Sequence, residues 1–147
     1  MSKKKRKHII KLEVGKFYRV LDGSPSGHPG QIYKIDFGEN TFYAIITGSM
    51  TFEEFKKLGL RKGYIKLKET TDKNVEISLV RKRPFIGERD DFGEKEYIDM
   101  SFSEKDAAII ITIQNNNPTY GKYYKKRKQI KNPNIRGSRN NRGSASN

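Results

Sequence analysis

YRVLDGSPSGHPGQIYKIDFGENTFYAII, residues 18–46, is the stretch on which the fold turns. It divides into strand, loop, strand, turn and strand. Residues 16–22 (KFYRVLD) mix aromatic and β-branched side chains with polar ones in rough alternation, as a strand half-buried on a sheet does. Residues 23–30 hold three Gly and two Pro, which excludes a helix or strand interior and predicts a loop. Residues 31–37 (QIYKIDF) predict a second strand, with Ile32 and Lys34 facing opposite to Tyr33 and Ile35. Gly38, Glu39 and Asn40 make a short hairpin connection to a third strand at 41–47, whose nearly uniform apolar character places it at the sheet centre.

Beyond this core, Thr51-Phe-Glu-Glu54 has the spacing of a capping box. Phe52, Phe55 and Leu58 recur at the helical period before Gly59, which predicts a helix of two to three turns. Residues 63–68 and 75–81 alternate as two further strands. Arg83-Pro84 and residues 87–93 read as an acidic loop; Glu88, Asp90, Asp91, Glu94 and Glu96 lie close enough in sequence to draw a divalent ion, and the plainer reading is that they are solvated. Ser103 to Asp106 offers a second helix start, and the apolar run at 107–113 continues it; the isoleucines of that run also suit a strand, but the cap and the two alanines favour a helix. From Asn115 onward the chain is Asn, Lys, Arg, Gly and Ser without apolar periodicity, too polar to offset its ordering entropy. The division is a basic N-terminal arm at 1–8, a folded domain at 9–114 and a disordered basic tail at 115–147. Five short strands with hairpin-type connections predict a mainly β fold, a small SH3-like antiparallel barrel with one or two helices.

The 147 residues carry a formal net charge of +14 and no cysteine, so disulfides, Cys-based zinc sites and thiol nucleophiles are excluded. No apolar run approaches the roughly 20 residues of a membrane span, no secretory signal pattern is present, and a cytoplasmic protein without a membrane partner is expected. The charge is segregated. Residues 1–8 hold five Lys or Arg, residues 118–147 hold nine, and neither end has an acid, whereas residues 9–117 balance 17 basic against 17 acidic side chains. Basic arms on a neutral body suit a polyanionic partner, because each cation that meets a phosphate releases condensed counterions. The alternative is that the tails serve solubility alone.

Motifs narrow the chemistry further. There is no Walker-type loop, HExxH or GxSxG, and two histidines without cysteine make no zinc site; no metal or cofactor is expected. The glycines at 23, 27 and 30, followed by alternating Ile32 and Ile35, resemble the KOW motif of ribosomal and transcription-elongation proteins. That resemblance implies a tight loop whose backbone approaches RNA, with Gly27, Gly30 and Lys34 at the contact. A second resemblance, spread over about 100 residues, is to the PemK/MazF/Kid toxins. It rests on Gly27-His28 in the loop, Thr47-Gly48-Ser49 at one strand end, Val80-Arg81 at another, and Ser103 to Asp106 before the last helix. The chain departs from that family where Gly48 splits Thr-Ser, where Arg83 replaces an acid, and where Gly30-Gln31 stands for the usual Arg-Pro.

The toxin resemblance implies an endoribonuclease with His28, Arg81, Thr47 and Ser49 as catalytic residues, Arg83 beside them on RNA, an antitoxin as protein partner and a homodimer as its assembly. Metal-independent RNA cleavage needs a base for the 2′-OH proton, an acid for the leaving oxygen and a cation for the phosphorane. Histidine suits either proton role, and Arg supplies a fixed bidentate charge. Each residue also has a plainer reading: His28 as a solvated loop residue, Arg81 as an exposed strand-end cation, Thr47 and Ser49 as turn formers. In the tail, Tyr120, Tyr123 and Tyr124 interleave with Lys122, Lys125, Lys126 and Arg127, a composition that stacks unpaired bases while neutralising phosphate. The expected function is RNA binding, preferably of single strands, with cleavage as the leading activity. Two alternatives are a non-catalytic KOW-type RNA- or ribosome-binding protein and a DNA-binding accessory protein of a phage or mobile element.

Overall fold

A computed structural model describes residues 11–121. Eight strands form one sheet: β1 (Phe17–Val20), β2 (His28–Asp36), β3 (Thr41–Met50), β4 (Tyr64–Lys66), β5 (Ile77–Arg81), β6 (Phe85–Gly87), β7 (Phe92–Glu96) and β8 (Thr119–Tyr120). Two helices, α1 (Phe52–Leu58) and α2 (Ala107–Gln114), complete the order. The hydrogen-bonded path runs β4-β5-β3-β2-β1-β7, with β6 branching from β3 and β8 from β6. Every pairing is antiparallel except β6–β8. The path has free ends at β4 and β7, so the fold is a mainly β, largely antiparallel sheet without a closing ladder among the described residues. No helix among these residues is long and apolar enough to cross a membrane.

The apolar strand is central, as its composition predicts. β3 pairs with β2 from Gly30↔Ile46 to Asp36↔Thr41, with β6 along Phe42 to Ala44, and with β5 from Thr47↔Val80 to Met50↔Ile77. It is buried on both faces. Ala44 and Ile46 join Tyr18, Val20, Ile32, Phe42, Phe85 and Phe92 in one cluster, while Ile45 faces Val80, Leu67 and the α2 residues Ile110 and Ile113 in another. A third cluster, Met50, Tyr64, Ile77 and Leu79, lies where β3, β4 and β5 meet.

The structure corrects several sequence expectations, each for a local reason. The β2–β3 register slips between Ile32 and Lys34, so the strict alternation fails. Ile32 and Ile35 both pack on the first cluster, and Tyr33 on the second, because a bulge at this point re-aims side chains. The loop after β1 is shorter than its Gly and Pro content suggests, since His28 already pairs with Val20. α1 has its full capping box, yet Phe52 and Leu58 are 64% and 78% exposed and only Phe55 reaches the core.

The stretch read as an acidic loop overlaps β6 and the start of β7, both too short to show a period. Two of its carboxylates, Glu88 and Asp91, are buried rather than solvated, and Asp91 accepts a bond from the Glu88 amide at 2.9 Å. Asp106, at the start of α2, is also fully buried and accepts from the amides of Lys68 and Glu69 at 2.7 and 3.1 Å. The folded region also runs past Asn115. Thr119 donates to the Pro84 carbonyl and Gly121 to that of Ile86, so the domain extends to Gly121.

Candidate functional site: a cavity where two strands part

β3 stays with β2 as far as Ile46 and turns to β5 from Thr47 onward, while the start of β2 continues along β1. A cavity of about 260 Å³ opens where the strands part. It is lined by His28 and Pro29 of β2, Thr47, Gly48 and Ser49 of β3, Arg61, the 71–75 turn (Thr71, Asp72, Val75), and Tyr97 and Met100.

One carboxylate organises this corner. Asp22 follows β1, and its side chain is only 1% exposed. Its Oδ1 accepts from the Ser24 amide at 3.2 Å and the Ser24 hydroxyl at 2.8 Å, an Asx turn set by the Asp-Gly-Ser sequence. Its Oδ2 lies 2.7 Å from His28 Nδ1 and 3.8 Å from Arg81 Nη2. The two basic residues that sequence reasoning singled out, 53 positions apart in the chain, therefore meet on one oxygen.

Burial works against charge on Asp22, but the bonds from Ser24 and His28 outweigh it and hold the carboxyl below its ordinary range. An ionised carboxylate only accepts, so His28 Nδ1 carries the proton of this contact. Neutral His28 then has its basic nitrogen at Nε2, the tautomer required of a general base.

Two guanidinium groups stand at this corner: Arg61 lines the cavity, and Arg81 sits on the Asp22 carboxylate beside it. Arg81 ends β5 with its side chain one-third exposed, and Arg61 precedes β4. Both lie against the ring of buried Tyr64, at 5.9 and 5.2 Å from its centroid, a cation–π arrangement. Arg61 also donates to the Ser49 carbonyl at 3.1 Å. Gly48, which splits the Thr-Ser pair, has a spatial reason. A Cβ there would stand 3.2 Å from both Arg61 Nη1 and Tyr64 Cε2, so glycine admits the ring and the guanidinium against β3.

The remaining predicted site residues divide clearly. Thr47 is buried and donates to the Pro29 carbonyl at 2.9 Å, tying β3 to β2 directly behind His28 in the cavity lining. Ser49, two residues on along the same face, is exposed on the rim. Gly27 and Gly30 serve packing. Gly27 has φ +68° and its Cβ would stand 2.6 Å from the Val20 carbonyl oxygen, while a Cβ on buried Gly30 would stand 2.6 Å from Val20 Cγ2. These contacts explain the two glycines by packing.

Lys34 is six residues from His28, roughly 20 Å along a strand, and its ammonium sits over the Tyr43 ring. Arg83 donates to the Asn117 carbonyl at 3.1 Å. Tyr120, half-exposed, belongs to β8. Lys122, Tyr123, Tyr124, Lys125, Lys126 and Arg127 lie outside the described residues, as does the 1–8 arm.

Sequence reasoning missed Asp22, Arg61, Tyr64 and Asp72. Asp22 alone left a trace, as an Asp-Gly-Ser turn six residues before His28. Among the described residues no three His, Asp or Glu side chains come together as metal ligands. Comparisons with protein-family models, curated proteins and solved structures return no match to this chain.

Proposed function

We propose that this protein is a metal-independent endoribonuclease acting on single-stranded RNA, with an SH3-like barrel as its scaffold and a chemistry similar to that of PemK/MazF-type toxins. The observation that carries the reading is the convergence of His28 and Arg81 on the buried Asp22 carboxylate beside a cavity rimmed by Ser49 and Arg61. In this reading His28 Nε2 takes the proton from a ribose 2′-OH. The oxygen attacks the adjacent phosphorus, the P–O5′ bond breaks, and a 2′,3′-cyclic phosphate forms on one product. The O5′ leaving group takes up a proton from water to become the 5′-hydroxyl of the other. Arg81, with Arg61 beside the same Tyr64 ring, neutralises the extra charge of the phosphorane. Asp22 stabilises the imidazolium that His28 becomes, as a buried carboxylate does in hydrolytic triads. It also supplies a carboxylate partner for Arg81 where Arg83 occupies the position of the family's acid. The charged arms collect RNA from solution, and an antitoxin protein and a homodimer are the partners this reading carries with it.

The test is incubation of the full chain with a broad panel of single-stranded RNAs in excess EDTA. Cleavage of RNA and not of matched DNA is expected. His28→Ala and Arg81→Ala should each lower the rate by at least about 10²-fold, the size of a lost acid–base or electrostatic contribution. Binding without cleavage across the panel would favour a non-catalytic RNA-binding protein instead.

A further inference from the structure

The cavity lining is chemically mixed. His28, Ser49 and Arg61 bring polar and basic groups to it, and Pro29, Val75, Tyr97 and Met100 bring apolar surface. Asp72 lines it as well. Its Oδ1 accepts from the Asn74 amide at 2.9 Å, which fixes the carboxylate in its turn, and its Oδ2 has no hydrogen-bond partner among the described residues. At about 260 Å³ the space falls just below the roughly 300 Å³ at which drug-sized pockets begin, room for one nucleoside and not for two stacked bases. An aromatic ring and a thioether beside a cationic rim are what an unpaired base with its phosphate requires.

From this we infer that the cavity is a nucleobase subsite selective for guanine, an inference that rests on reading the cavity as an RNA site. A carboxylate is acceptor-only, so it rewards donors and penalises acceptors at the base edge. Guanine presents two adjacent donors, N1–H and N2–H. Adenine and cytosine present one amino group beside a ring-nitrogen lone pair, and uracil presents one N–H between two carbonyl oxygens. Asp72 therefore receives two bonds from guanine and one, beside a repulsive neighbour, from any other base. An acceptor left facing another acceptor inside a cavity discriminates more strongly than a change in apolar contact. The guanine is placed on the nucleotide whose 2′-OH reacts, so that its 3′-phosphate lies toward Arg61 and Arg81.

Titration of the full chain with guanosine, inosine, adenosine and uridine 3′-monophosphates tests this without cleavage, since none contains a phosphodiester. The Met100 methyl resonance reports occupancy. Guanosine monophosphate is expected to bind at least about tenfold more tightly than inosine monophosphate, which lacks only the N2 amino group, in line with the loss of one bond to a charged acceptor. In Asp72→Ala that preference should vanish. Equal affinities for the two, absence of binding, or a preference retained in Asp72→Ala would overturn the subsite. Failure of the nuclease reading looks different: selective binding of guanosine monophosphate with no RNA cleaved leaves the subsite standing, and cleavage indifferent to guanine leaves only the nuclease.

Discussion

Asp22 shows how much a single side chain organises here. It orients His28, receives Arg81 and closes its own turn through Ser24. Its carboxyl is held below its ordinary value, so in the interval down to the folded value the unfolded chain binds more protons than the native one. The stabilisation it contributes is complete above about pH 4 and is lost as pH falls through the depressed folded value. Asp22→Asn should therefore be less stable than the parent at neutral pH, and the difference should narrow below about pH 4. Urea midpoints of both proteins at a series of pH values check this, and a gap independent of pH would contradict it. His28 and Arg81 were legible in the sequence as chemistry-bearing types, one in a glycine-rich loop and one at a strand end. Asp22, Arg61 and Asp72 were not, because a partnership across the sheet leaves no spacing in the chain, and an Asp before Gly-Ser reads as a turn former and nothing more.

At the scale of the element, legibility followed length and period. β1, β3 and α1 appear where alternation and the capping box place them, since these signals arise within a few residues. β6 and β7 were read as loop because three to five residues beside Pro and Gly show no period, and their strand state is imposed by pairing with β3 and β1. The β2 bulge was invisible for the same reason: it depends on the partner register. Gly30 is where element packing meets the site, for it lets β1, β2 and β3 close together two residues beyond His28. Gly30→Ala would bring a Cβ to 2.6 Å from Val20 Cγ2 and 3.1 Å from the Ile45 carbonyl oxygen. Both neighbours are fully buried, so the strain should cost about 1–3 kcal/mol. A thermal or urea melt measures it, and a change within about 0.5 kcal/mol would show that the strands have slack.

The whole molecule is a neutral, mainly β body with basic chain at both ends. Composition made that division visible, but it set the C-terminal boundary before Thr119 and Tyr120, which pair with β6. The nine Lys and Arg of the tail all lie at 122–147, beyond this last strand. A chain of residues 11–121 should therefore keep the fold, bind RNA more weakly, and show a flatter dependence of log affinity on log salt, since fewer counterions are released. An unchanged slope would mean that the arms do not meet phosphate. The central claim is that this body cuts RNA by attack of a ribose 2′-OH activated by His28. It is tested most directly with one RNA that the full chain cleaves in EDTA, resynthesised with a single 2′-deoxy sugar at the cleaved nucleotide. The account predicts a 2′,3′-cyclic phosphate on the parent product and no cut at the deoxy position. Cleavage continuing at the deoxy nucleotide would contradict it.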